Sequence, residues 1–147
     1  MSLITEILSI ASEVSPTSSV ILSSKFNSNV QGFLTAESNL PLIILDNELP
    51  KNSEIKKNNN VQKDTKVLIT ILGLDSQDNS DIQSNTICES MEAIADLIAV
   101  RIYQIVAVRP IGNQKYKVTP MYRVFGSMMT GVAMEMQVNY NTIVNFE

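Results

Sequence analysis

The chain has 147 residues and a formal net charge of −4, with 44% hydrophobic and 18% charged residues. This length suits one domain with a sizeable core, and the acidic balance disfavours nucleic-acid binding, which needs a clustered excess of Lys and Arg. Histidine is absent and Cys88 is the only cysteine, so no intrachain disulfide is possible. We expect no catalytic residues, no cofactor and no metal, and a structural role for the Cys88 thiol, which has no histidine to activate it.

The start of the chain does not read as a secretory signal, because residues 1–16 lack a basic region followed by a long apolar one. No apolar run approaches the roughly 20 residues that span a bilayer. These features predict a soluble protein of intracellular origin with no membrane partner.

The first part of the chain alternates between apolar and polar segments. Apolar residues recur at three- and four-residue spacing over residues 3–14, which predicts an amphipathic helix ended by Pro16. Residues 20–22 and 40–45 read as short strands. The Asn-, Ser- and Gly-bearing stretch between these strands predicts a loop.

Residues 48–60 are polar and basic, with almost no core-forming residues. This composition predicts an exposed excursion at the tip of a long hairpin. Lys51, Lys56 and Lys57 give the excursion its positive charge. A solvated surface is the ordinary explanation of these lysines, and the alternative is docking onto an acidic partner ring.

Residues 61–74 form a near-continuous apolar stretch, which predicts a central strand covered on both faces. Asp75, Asp78 and Asp81 follow it. Their spacing lacks the alternate oxygen positions and the glycine of a calcium loop. We interpret these residues as favouring the start of the next helix through capping and the helix dipole, and we predict no metal site.

The longest predicted element is a helix over about residues 81–108, opened by Ser80 and Gln83 at the spacing of a capping box. A narrow sector is expected to pack on the sheet: Ile87, Met91, Ile94, Ile98, Ile102 and Ile105. From residue 97 onward the helix is apolar almost all round, which a helix packed on one side does not need.

Residues 115–140 predict a C-terminal β-hairpin, two alternating arms around a turn that contains Gly126. The second arm places one set of residues on the packed face: Val132, Met134, Met136, Val138 and Tyr140. Its many methionines suit core packing or an adaptable protein interface. The candidate subunit interface therefore combines two sets of residues: Leu97, Val100 and Tyr103 of the helix with Met128 and Met129 of the hairpin.

Four stretches carry a family resemblance: PLIILDN (41–47), NNNVQKDTKVLITILGLDSQDN (58–79), SMEAIADLIAVRIYQ (90–104) and YKVTPMYRVFGSMMTGVAMEMQV (116–138). They resemble small virion proteins of phages that infect the Bacteroides group, including the crAss-like phages. The order of elements resembles phage tail terminator and head–tail neck proteins. One departure is the step from Gly131 to Ala133, where the family pattern has a bulky aromatic residue after the glycine.

Pattern and resemblance together predict one α+β domain over residues 1–147. Its mainly antiparallel sheet has the long helix on one face, the N-terminal helix beside it and a C-terminal β-hairpin. The resemblance implies a virion protein, made in the host cytoplasm, that forms a hexameric or dodecameric ring between portal or adaptor proteins and tail-tube proteins. The alternatives are a non-virion host-interaction or regulatory module and, less favoured, a small enzyme.

Glu89, Glu92 and Asp96 share the side of the long helix opposite its packed sector. A solvated helix face is the ordinary explanation of such an acidic stripe. In a ring through which DNA passes without specific binding, carboxylates on the wall repel the duplex. These three residues are therefore the candidate lumen-facing residues.

Overall fold

The computed structural model describes residues 3–30, 41–47, 50–105, 115–127 and 129–143. The helices in these ranges are α1 (Leu3–Val14), α2 (Ser23–Ser28), α3 (Asp81–Ile105) and α4 (Val124–Ser127). The strands are β1 (Ser19–Leu22), β2 (Leu42–Leu45), β3 (Lys51–Ile55), β4 (Asn60–Leu74), β5 (Tyr116–Arg123) and β6 (Met129–Ile143).

The strands in the described ranges form one sheet in the order β1-β2-β4-β6-β5, with β3 also paired to β4. β1 and β2 are parallel, and the other pairs are antiparallel. β4 is central, because β6 pairs with it from Asn60 to Leu74 while β3 and β2 share its other edge. The predicted α+β class with a mainly antiparallel sheet is confirmed.

The main core lies between α3 and one face of the sheet, with α1 beside α3. Alternate residues of β6 fill it, at 0–1% exposure: Val132, Met134, Met136 and Val138. Because successive strand residues point to opposite faces, the period-2 pattern identified this set correctly.

The packed sector of α3 is rotated relative to the prediction. Of the predicted sector, Met91, Ile98 and Ile102 are buried, Ile87 and Ile94 are only half-buried, and the side chain of Ile105 lies outside the described residues. On one side of this sector Cys88, Ala95 and Ala99 are buried as well. Small residues explain the rotation, because Cys88 and Ala95 let the helix lie close to the sheet. The Cys88 thiol is buried and donates to the Gly131 carbonyl at 3.4 Å, which agrees with a structural role.

Gly131 allows β4 and β6 to approach each other closely. A Cβ atom at this position would lie 1.8 Å from the carbonyl oxygen of Ile71, a separation that no side chain tolerates. The residue is therefore required for close strand packing rather than for a turn.

A second, smaller core lies on the opposite face of the sheet, and it contains Phe26, Leu42, Ile44, Leu72 and Met129. Two predictions are wrong here. Residues 23–28 form α2 instead of a loop, because Phe26 anchors them in this core. Met129 is 0% exposed, so it packs inside the subunit and is not available to a neighbour, while Met128 lies outside the described residues.

Candidate functional site

A buried polar cluster lies where β4 ends. Asp75 follows this strand, is 5% exposed, and accepts four hydrogen bonds. Thr130 Oγ1 and Ser84 Oγ donate at 2.6 and 2.7 Å, Asn79 Nδ2 at 2.8 Å and the Ser76 amide at 2.7 Å. Burial opposes ionisation, but the four donors outweigh it and hold the pKa of Asp75 well below its ordinary value of 3.8. The carboxylate ties β4, β6 and the start of α3 together.

Arg123, the last residue of β5, completes this cluster. Its φ of 49° is unusual for a non-glycine residue, and its amide donates to Thr130 Oγ1 at 2.9 Å. The guanidinium donates to the Asn79 carbonyl at 2.7 Å and contacts the Asp81 carboxylate at 3.4 Å. Sequence reasoning missed this cluster and treated Asp75 only as a residue that favours a helix start.

The start of α3 has the predicted capping box. The Ser80 amide donates to Gln83 Oε1 at 2.7 Å, and the Gln83 amide donates to Ser80 Oγ at 3.2 Å. Two amides that lack partners within the helix are thereby satisfied. This cap fixes the direction in which α3 leaves the polar cluster.

A groove of about 730 Å³ lies between the first half of α3 and the end of β5. Ile82 and Tyr122 line it and are 80% and 48% exposed. The Tyr122 hydroxyl donates to Asn85 Oδ1 at 3.0 Å, and Asn85 Nδ2 donates to Glu89 Oε1 at 3.1 Å. The groove thus offers an apolar floor beside a negatively charged rim.

The predicted acidic stripe is exposed along the outer face of α3. Asp96 accepts a hydrogen bond of 2.6 Å from the Tyr116 hydroxyl of β5. This bond, then desolvation and then the charges of Asp96 and Glu92 raise the pKa of Tyr116 to about 12. The stripe therefore borders β5 and continues the negatively charged rim of the groove.

The second half of α3 carries the predicted apolar row, which we define as Leu97, Val100 and Tyr103. Their side chains are 56%, 50% and 39% exposed. At 100° per residue, Val100 lies on the same helix side as Glu89. The predicted interface and the predicted lumen residues therefore occupy successive turns of one outer face, acidic first and apolar second.

The basic excursion is an ordered hairpin in the described residues. Residues 51–55 form β3, all five exposed, and pair with β4. Asn58 and Asn59 have φ values of 62° and 58°, as in a type I′ turn, which matches the twist of the flanking strands. Residues 51–59 are exposed and lie at the hairpin that the sequence predicted, and residues 48–49 lie outside the described ranges.

The chain matches no protein-family model and no curated protein. Across the described residues, no group of three or more His, Cys, Asp or Glu side chains is placed to hold a metal ion. No helix in the described part of the chain is both long enough and apolar enough to cross a membrane. The surfaces that stand out are the groove, the apolar row and the basic hairpin.

Proposed function

We propose that the chain is a structural virion protein whose copies form a ring at the head–tail junction of a phage, as a tail terminator or another neck subunit. The observation that carries the proposal is the exposed apolar row on α3. Interfaces bury apolar and aromatic side chains at their centre, and a neighbouring subunit that covers Val100 and Tyr103 removes this row from water.

The surroundings of the row suit an interface. On the side toward α1, Arg101 contacts Glu13 at 3.5 Å, with 40% and 63% of the two side chains exposed. On the N-terminal side Glu92 and Asp96 are exposed as well. An apolar centre with a charged rim is the usual anatomy of a contact between folded subunits.

The four stretches that resemble virion proteins support the place of this ring in the neck. Its neighbours there are portal or adaptor proteins on one side and tail-tube proteins on the other. The net charge of −4 suits a channel through which DNA passes without specific binding, because binding requires clustered cations against the phosphates.

The experiment replaces Val100 with Asp and measures the mass of the full chain by sedimentation velocity. The wild-type chain should sediment as a ring, and Val100→Asp should reduce it to folded monomers, because a charge cannot be buried unpaired at an interface. Ser90→Asp is the matched control: it adds the same charge to an exposed site on the same helix, about 15 Å away.

Two results would contradict the proposal. A wild-type chain that remains monomeric at high concentration forms no ring. A Val100→Asp variant that loses its circular dichroism signal shows that the row belongs to the monomer core. Mass measurement of purified phage particles then tests the location, since a neck ring requires a hexameric or dodecameric copy number per virion.

A further inference from the structure

We infer that the basic hairpin tip of one copy docks into the groove between α3 and β5 of the next copy. The inference rests on the proposed ring and names the two surfaces that meet. The hairpin tip consists of Ile55, Lys56 and Lys57, whereas Lys51 pairs with Thr65 at the other end of β3. Ile82, Glu89, Tyr122 and Arg123 are among the residues that line the groove.

The hairpin tip combines positive charge with an exposed apolar residue. At the tip, Lys56 and Lys57 outnumber Glu54, whose carboxylate contacts Lys56 Nζ at 3.1 Å, so the tip stays positively charged in a chain whose net charge is −4. Ile55 is 84% exposed, more than any other large apolar residue described. A solvated turn has no need of such a residue, whereas a docking segment does.

The groove has the complementary character. Ile82 and Tyr122 offer an apolar floor that suits Ile55. Glu89 lines the same groove, and Glu92 follows one turn later. The positive charge of Arg123 is engaged by Asp81 and by a backbone carbonyl, so the glutamates leave the rim negative. Opposite charges of this kind orient two partners and speed their association.

The two surfaces cannot meet within one copy. The hairpin turn precedes Asn60, whereas Asp75 and the start of α3 follow Leu74, at the other end of a 15-residue strand. Such a strand spans about 45–50 Å. Contact between tip and groove therefore requires two copies. A contact between two different surfaces is heterologous, and it generates a ring when the rotation that relates successive copies closes on itself.

This contact also accounts for the outer face of α3 as a whole. A neighbour whose tip occupies the groove lies along the same face as the apolar row, about 27 Å from Ile82 to Val100 along the helix axis. Glu89 and Glu92 then face the lysines of a neighbour instead of the channel lumen. The acidic stripe and the apolar row become two parts of one interface.

The test uses charge reversal in the full chain. Lys56→Glu with Lys57→Glu makes the tip acidic, and Glu89→Lys with Glu92→Lys makes the groove basic. Each double variant alone should weaken association at least about tenfold at low salt, and an equimolar mixture of the two should restore it, because the charges are again opposite. Lys25→Glu on α2, an exposed lysine on the opposite sheet face, is the control for charge change.

The outcomes separate this inference from the ring itself. If both double variants assemble like the wild type while Val100→Asp does not, the docking inference is overturned and the ring stands. If neither the wild type nor any variant assembles, both fail. If the two reversals abolish assembly but their mixture does not recover it, tip and groove do not meet, and the docking inference is again overturned.

Discussion

The two ends of β4 use polar residues in opposite ways. At the Leu74 end, Asp75 is buried and its carboxylate accepts hydrogen bonds from four residues of the turn, α3 and β6. At the Asn60 end, all five residues of β3 and the following Lys56 and Lys57 are exposed, and Lys56 pairs with Glu54 at the surface. One end fixes the fold and the other presents a surface, so mutations at the first should change stability and mutations at the second should change assembly.

The largest effect is expected for Gly131→Ala, close to the buried end. The added Cβ would meet the Ile71 carbonyl at 1.8 Å, and a backbone atom cannot move aside as a side chain can. We expect a loss of unfolding free energy at or above the upper end of the ~1–3 kcal/mol range for overpacking, measured by urea denaturation. Gly73→Ala is the control, because its Cβ would meet the movable Ile87 side chain at 3.0 Å. Equal losses of unfolding free energy for the two variants would show that β4 and β6 move apart easily.

A smaller effect is expected for Asp75→Asn, which removes the charge and keeps the shape. The hydroxyl donors of Thr130 and Ser84 lose an anionic acceptor. This loss should lower the unfolding free energy by about 1–3 kcal/mol at neutral pH. Asp78→Asn, at an exposed site in the same turn, should change the unfolding free energy by no more than about 0.5 kcal/mol.

The pH dependence of the Asp75→Asn effect has a definite sign. The pKa of Asp75 is lower in the folded state than its ordinary value of 3.8. The ionised carboxylate therefore stabilises the folded state fully above about pH 3.8, and this stabilisation is lost as the pH falls further. The difference in stability between the wild type and Asp75→Asn should therefore shrink below about pH 3.8. A difference that is constant from pH 7 into this acid range would mean that Asp75 acts through its shape and not through its charge.

The smallest effect on stability is expected for Ile55→Ser at the exposed end. This side chain is 84% exposed, so its replacement should change the unfolding free energy by less than about 0.5 kcal/mol. The association between copies of the Ile55→Ser variant, measured by sedimentation velocity, should nevertheless be weaker than that of the wild type, because Ile55 is the apolar part of the hairpin tip. A variant that loses stability but assembles normally would reverse the roles of the two ends of β4.

Features that depend on local spacing could be predicted from the sequence. The alternation from Val132 to Val138 identified a strand face, and Ser80 and Gln83 identified a helix start. The apolar row was found in the same way, because a helix that is apolar all round exceeds what one packed side requires. Exposed lysines followed from a segment with too few apolar residues to form a core.

Features that depend on distant contacts could not be predicted. Asp75 and Thr130 are separated by 55 positions, and no local pattern marks them as partners. Phe26 turns a polar stretch into α2 only because a second core exists on the other sheet face. Met129 is buried in the same second core, which its local sequence does not reveal. The groove depends on how β5 lies against α3, which local periodicity does not determine.

Native mass spectrometry of the full wild-type chain at low salt is the most direct test of self-assembly through two different surfaces. A ring closed by heterologous contacts should give one closed oligomer, a hexamer or a dodecamer, whose copy number does not increase with protein concentration. Monomers at every concentration, or an open series of oligomers that lengthens as concentration rises, would contradict the proposed ring.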